Sequence, residues 1–121
     1  MGKHFIVIAS IYLLSGLGLG YVMGISDLFQ YTTVHAHVNL VGWVTSALFG
    51  IVYLLTQKEY SRLITAHFWI HNTGFPLLIL GMIFIINGNE ALGGPISGIG
   101  GTLLIIGAIL FSIHCFKMKC E

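Results

Sequence analysis

Nine charged side chains punctuate this 121-residue chain, and the stretches without them decide what it can fold into. The charges are Lys3, Asp27, Lys58, Glu59, Arg62, Glu90, Lys117, Lys119 and Glu121. Between them lie four charge-free stretches, 4–26, 28–57, 63–89 and 91–116. Each is longer than the roughly 20 apolar residues that carry a helix across the hydrocarbon layer. In lipid the backbone must satisfy its own hydrogen bonds, which a helix does within one segment. The sequence therefore predicts an all-α integral membrane four-helix bundle. It is one domain over 1–121, with helices at about 5–25, 34–56, 63–87 and 95–116. Its first partner is the lipid bilayer.

Composition narrows the function classes. Hydrophobic residues make up 56% and charged residues 7%, where soluble domains carry about 25% charge. That excludes a disordered chain and argues against a soluble enzyme. Five Lys and Arg make no basic patch for nucleic acid. Two cysteines, Cys115 and Cys120, build no disulfide framework.

The same charges predict an orientation. Four spans put both termini and the 57–62 loop on one side, and that side collects every Lys and Arg. The other side holds Asp27 and Glu90. The positive-inside bias makes the basic side cytoplasmic, so the expected location is the cell inner (cytoplasmic) membrane, multi-pass, with both termini cytoplasmic. The first stretch is too long for the apolar core of a signal peptide, and no Ala-x-Ala-like site follows it. It is expected to stay as a helix.

Glycine marks the helix surfaces. Gly16, Gly20 and Gly24 fall four apart, as do Gly42, Ser46 and Gly50. Small residues at that spacing let helix backbones approach closely, either within the bundle or between copies of the chain. Gly93–Gly101, with Pro95 inside it, reads as a loop entering a Gly-rich fourth helix. Pro76 takes away the hydrogen bond to the carbonyl of Asn72 and predicts a mild kink.

Chemistry falls to six histidines: His4, His35, His37, His67, His71 and His114. A titratable ring inside a membrane helix is costly without a partner, so each is a candidate site residue. His35 and His37 start the second helix. Two residues apart, they point about 200° apart, and cannot chelate one ion together. They can each face a different flat cofactor or neighbour, a geometry suited to haem. No Cys-x-x-Cys-His occurs, so any haem is held non-covalently, as b-type haem is. The bland alternative is a pair of rings bonding water and headgroups. His67 and His71 lie four apart on one helix face, near the basic side with His114. That set is a candidate site for a transition metal, or for a second haem between the His71 rings of two chains. The alternative is bonding to helix carbonyls and headgroups.

His35–Leu55 reads HAHVNLVGWVTSALFGIVYLL and Ala66–Trp69 reads AHFW. This resembles helices ten and eleven of the catalytic subunit of the haem–copper oxidases. The cbb-type cytochrome c oxidases are nearest, then the nitric oxide reductases. The shared pattern is His-x-His-x-x-x-x-Gly-Trp, an apolar run ending in Tyr, a short basic loop and His-Phe-Trp. It covers under half of the chain. The resemblance implies that His35 ligates a high-spin active-site haem and His37 a low-spin electron-transfer haem. It also implies that the four helices match helices nine to twelve, one of three four-helix arcs. The family's copper-site histidines are not evident here. His67 matches a position that is not a metal ligand in the family, and His71 matches no ligand.

Three function classes follow. One is a b-type haem-binding membrane protein that moves electrons, binds a gas or holds haem, its electron donor unspecified. The second is an oligomeric oxygen or nitric oxide reductase. The third is a metal-binding or structural small membrane protein. One arc encloses a haem plate poorly, which predicts a homo-oligomer. A ring-shaped homotrimer comes first. A two-fold dimer, with the same histidine from each chain on one iron, comes second.

Overall fold

A computed structural model describes residues 1–56 and 61–118. The expectations placed on Lys58, Glu59, Lys119, Cys120 and Glu121 lie outside the described residues. Four membrane-length helices follow one another: α1 (Gly2–Ser26), α2 (Phe29–Thr56), α3 (Arg62–Ile86) and α4 (Glu90–Lys117). They run up and down. The first turns of α1 and α3 meet the last turns of α2 and α4, where Phe5, Tyr53, His67 and Phe111 pack ring against ring. This is the basic end, with Lys3, Arg62 and Lys117 exposed; Asp27 and Glu90 mark the opposite, acidic end.

Local chemistry sets the turns. Asp27 closes α1 in the left-handed region, φ 53°, its N–H on the carbonyl of Met23. Asparagine and aspartate tolerate that conformation better than other side chains do. Gly88, φ 85°, turns the chain between α3 and α4. Ser61 and Asn89 cap α3 and α4, each side chain accepting a backbone N–H three residues on.

The Asn89 cap moves the start of the fourth helix to Glu90, not 95. Gly93–Gly101 is helical, not a loop. The reason is packing. Gly74 and Gly81 on α3 face Gly93 and Gly100 on α4, and a Cβ on Gly81 or Gly100 would collide with the opposite backbone. These glycines recur every seven residues, the repeat that keeps two helices in register along one seam. In lipid such close approach gains dispersion and offsets the low helix propensity of glycine. The helix α3 continues through Pro76 to Ile86.

The interior of α2 departs from α-geometry. Val38–Thr45 is a π-helical segment between α-helical Thr32–His37 and Ser46–Thr56. Hydroxyls bridge its wide turns: Thr45 Oγ1 donates to the carbonyl of Leu40 at 2.7 Å and Ser46 Oγ to that of Val41 at 3.2 Å. Such segments are frequent beside functional sites.

The glycine faces of α1 and α2 are spent inside the chain. Gly16 lies against Asn39, Gly20 against His35, Gly42 against Tyr12 and Phe75, and Gly50 against Gly2 and Ile6. Of the two alternatives for these faces, the close approach made here is the one within the chain. Of the α1 glycines at that spacing, only Gly24 meets nothing within 4 Å.

Candidate functional site

Five of the six histidines fall into two sets, one near each end, built from different partners. At the acidic end α2 carries His35 and His37, both partly buried. His35 turns toward α1, where the missing side chain of Gly20 leaves room for its ring. Its Nδ1 lies 3.1 Å from the carbonyl of Gly16. A carbonyl only accepts, so Nδ1 carries the hydrogen and Nε2 keeps its lone pair. Asn39 Nδ2 lies farther from the same nitrogen, at 3.3 Å, and gives one of its two hydrogens to the carbonyl of His35 at 2.9 Å. His37 Nδ1 donates to the carbonyl of Thr33, one turn earlier, at 2.8 Å. It too is pinned with Nε2 bare.

This is the arrangement a metal-ligating imidazole needs. A ligand must offer an unprotonated nitrogen, and a hydrogen bond from the other nitrogen fixes both tautomer and ring direction. Among the described residues Nε2 of His35 and of His37 has no hydrogen-bond partner, and neither atom is sealed inside the bundle. The donor set fits the axial nitrogens of a haem iron. His35 faces α1, and His37 stands on the Thr33 side of α2.

The basic half is built differently. His67 and His71 on α3 are 0% and 2% exposed. Phe5, Phe49 and Phe111 pack around them, and Phe68 packs edge-on against Phe5. Every inner ring meets a hydroxyl of α2. His71 Nε2 lies 3.0 Å from Ser46 Oγ, His67 Nδ1 2.5 Å from Tyr53 Oη, and His114 Nε2 2.8 Å from Thr56 Oγ1. Ser46 and Thr56 give their own hydrogens to the carbonyls of Val41 and Val52. They therefore accept from the rings, and His71 and His114 carry the hydrogen on Nε2. Tyr53 has no other acceptor among the described residues, so it donates to His67 Nδ1. That leaves the hydrogen of His67 on Nε2, buried without a partner and facing Gly107 on α4.

The ion-sharing arrangement expected of His67, His71 and His114 is not formed. The three rings bond to three separate hydroxyls. Among the described residues no group of three His, Cys, Asp or Glu side chains stands ready to hold a metal ion. His71 is covered by Phe5 and Phe49 within this one chain. His4 is exposed at the basic end, its ring edge-on to Phe68 at 6.1 Å.

The hydroxyl partners escaped the histidine-centred reading. Ser46, Tyr53 and Thr56 are seven and three residues apart, which puts them on one helical face. That spacing was the available signal. The carbonyl of Gly16 left no trace in side-chain chemistry.

The structure also has an apolar groove of about 470 Å³ between α1 and α3, with Tyr12, Val38, Phe75 and Pro76 in its wall. A smaller one of about 200 Å³ lies beside Thr33, walled by Met82, Ile85 and Ile86.

No family model matches this chain, nor does any curated protein or any solved structure.

Proposed function

We propose that this chain is a b-type haem-binding membrane protein, with the haem held at the acidic end of α2. The observation that carries the reading is the state of His37. Its Nδ1–H is tied to the carbonyl of Thr33 and its Nε2 is open. The Thr33 bond fixes the tautomer and leaves Nε2 free to bind a metal ion. His37 would hold the haem iron through that nitrogen. His35, pinned in the same tautomer by Gly16, is the second candidate, on the opposite flank toward α1. The likeness of His35–Trp43 to the His-x-His-x-x-x-x-Gly-Trp pattern of the haem–copper oxidases supports both.

When bound, haem supplies a one-electron couple and a site for a diatomic gas. The residues of this chain hold and orient it. The Nδ1 bonds set the direction of each Nε2, and the carbonyl partners raise the basicity of the ring. The basic half does a separate job: its His–hydroxyl pairs fasten α3 and α4 to α2.

The same reading places the protein in the inner membrane with both termini cytoplasmic, because the basic charges share one end. The test is direct. Protein purified from cells supplied with haem precursor is expected to show a Soret band, retained in His4→Ala and lost or strongly reduced in His37→Ala. A colourless wild-type protein overturns the reading. Reporter fusions at each terminus are expected to report the cytoplasm.

A further inference from the structure

We infer that the haem sits between two copies of this chain, related by a two-fold axis, each giving His37 Nε2 to the same iron. The inference rests on the haem reading above and concerns what completes the site.

The argument begins with a count of ligands. All six histidines lie among the described residues. Two bare Nε2 atoms stand in the acidic half, on His35 and His37, and they point about 200° apart on one helix. One iron takes its axial ligands from opposite faces of a plate. A single α2 therefore gives it one of these rings, not both. No other histidine reaches that level. The nearest, His71, is bonded to Ser46, nine residues along α2 from His37. It is also buried, as is His67. His114 is bonded to Thr56 at the far end of α2, and His4 stands at the same far end.

Of the two rings, His37 has the freer side. His35 faces a wall, the α1 backbone at Gly16 and Gly20. His37 bonds inside its own helix, to the carbonyl of exposed Thr33 one turn earlier. Beside Thr33 lies the groove walled by Met82, Ile85 and Ile86. It is an apolar wall for one side of a porphyrin. Exposed Gln30, Thr32 and Thr33 at the start of α2 give a polar rim, where the positive end of the helix dipole favours the haem carboxylates. Apposing this face on itself supplies the missing ligand and the missing wall together. A two-fold contact does so because it presents the same patch from both sides. Met82 is the rival within one chain, since its thioether stands in the same groove.

The experiment uses the full chain in mild detergent, loaded with haem. Native mass spectrometry is expected to show two chains with one haem. The reduced protein is expected to be six-coordinate and low-spin, and not to bind carbon monoxide. A heterodimer of wild type and His37→Ala, isolated through two different tags, is expected to keep one haem, become five-coordinate and bind carbon monoxide. Added imidazole is expected to restore its low-spin spectrum. One chain carrying one haem, or three chains carrying three, overturns the inference while leaving haem binding intact. So does a thioether–iron absorption band that disappears in Met82→Leu. A wild-type protein with no haem overturns the haem reading itself, and this inference with it.

Discussion

The two histidine sets of this bundle differ in which ring nitrogen holds the hydrogen. In the acidic half, His35 and His37 are protonated on Nδ1 by backbone carbonyls of Gly16 and Thr33. In the basic half, His67, His71 and His114 are protonated on Nε2, through hydroxyls of Tyr53, Ser46 and Thr56. A carbonyl can only accept, and it turns a ring into an outward-facing base. A hydroxyl gives and accepts, and it draws the ring into the interior. The same residue type keeps an open Nε2 or becomes a clamp according to its partner.

The first way to break this comparison is to exchange the two roles. His37→Ala is expected to remove most of the haem, a tenfold or greater fall in the haem-to-protein ratio, with little change in thermal stability because the ring is partly exposed. His71→Ala is expected to do the reverse. The haem and metal content stay at the wild-type level, while the cavity and the loss of the Ser46 contact lower stability by about 2 kcal/mol. Absorbance per chain and thermal unfolding in detergent read the two quantities separately. Haem loss in His71→Ala would show that the halves share a site.

The second prediction concerns the scaffold beneath both halves. Gly100→Val puts a branched side chain into the backbone of Gly74 and Leu78. Overpacking costs about 1–3 kcal/mol even where side chains can move, and backbone moves less readily. The expected result is loss of monodisperse folded protein in size-exclusion chromatography. Gly98→Val, with nothing within 4 Å, is expected to elute as wild type.

These two glycines show what was legible in the sequence. The four spans could be read from charge placement, because a charge in hydrocarbon is costly. The start of α4 could not. Gly93, Gly94 and Pro95 are poor helix formers, and local propensity favoured a loop. The seam with α3 overrode it, and a seam is a property of two helices. Asn89 followed by Glu90 was the local signal for the earlier start. At the site, the opposite directions of His35 and His37 followed from helical period alone. The separation of His67, His71 and His114 did not. It depends on hydroxyls contributed by α2, more than ten residues away in sequence. The π-helical segment Val38–Thr45 left no periodic signature, and we have no physical account of why it begins at Val38.

The third prediction tests the clamp. Tyr53→Phe removes the donor to His67 Nδ1 and leaves a second buried nitrogen on that ring without a partner. For hydrogen bonds between membrane helices the largest losses are about 1.7 kcal/mol, and this fully buried pair is expected near that end. His67→Phe removes both ring nitrogens, including the orphaned Nε2, at similar size. The double variant Tyr53→Phe/His67→Phe is expected to recover most of the loss, because no polar atom is then stranded. Additive losses in the double variant would show that the two residues contribute separately.

The smallest effect is expected where the halves adjoin. Ser46 stands at the end of the π-helical segment, with Oγ on the carbonyl of Val41 and accepting from His71. Ser46→Ala strands the Nε2–H of His71, yet hydrogen bonds between membrane helices average only about 0.6 kcal/mol, since the less ordered chain also finds partners. A drop in stability of that size is expected, close to the resolution of a detergent unfolding curve. The informative reading is therefore spectral. Ser46 lies nine residues from His37, with the whole π-helical segment between them. If that segment is a rigid spacer, the haem spectrum of Ser46→Ala stays that of wild type while stability falls slightly. If relaxing Ser46 lets the wide turns tighten by one residue, every side chain before Val38 rotates about α2, the bond from His37 to the Thr33 carbonyl no longer sets the direction of Nε2 in space, and the Soret band moves or weakens. A spectral change with almost no change in stability would make the π-helical segment the coupling between clamp and ligand, and the two halves would no longer count as independent.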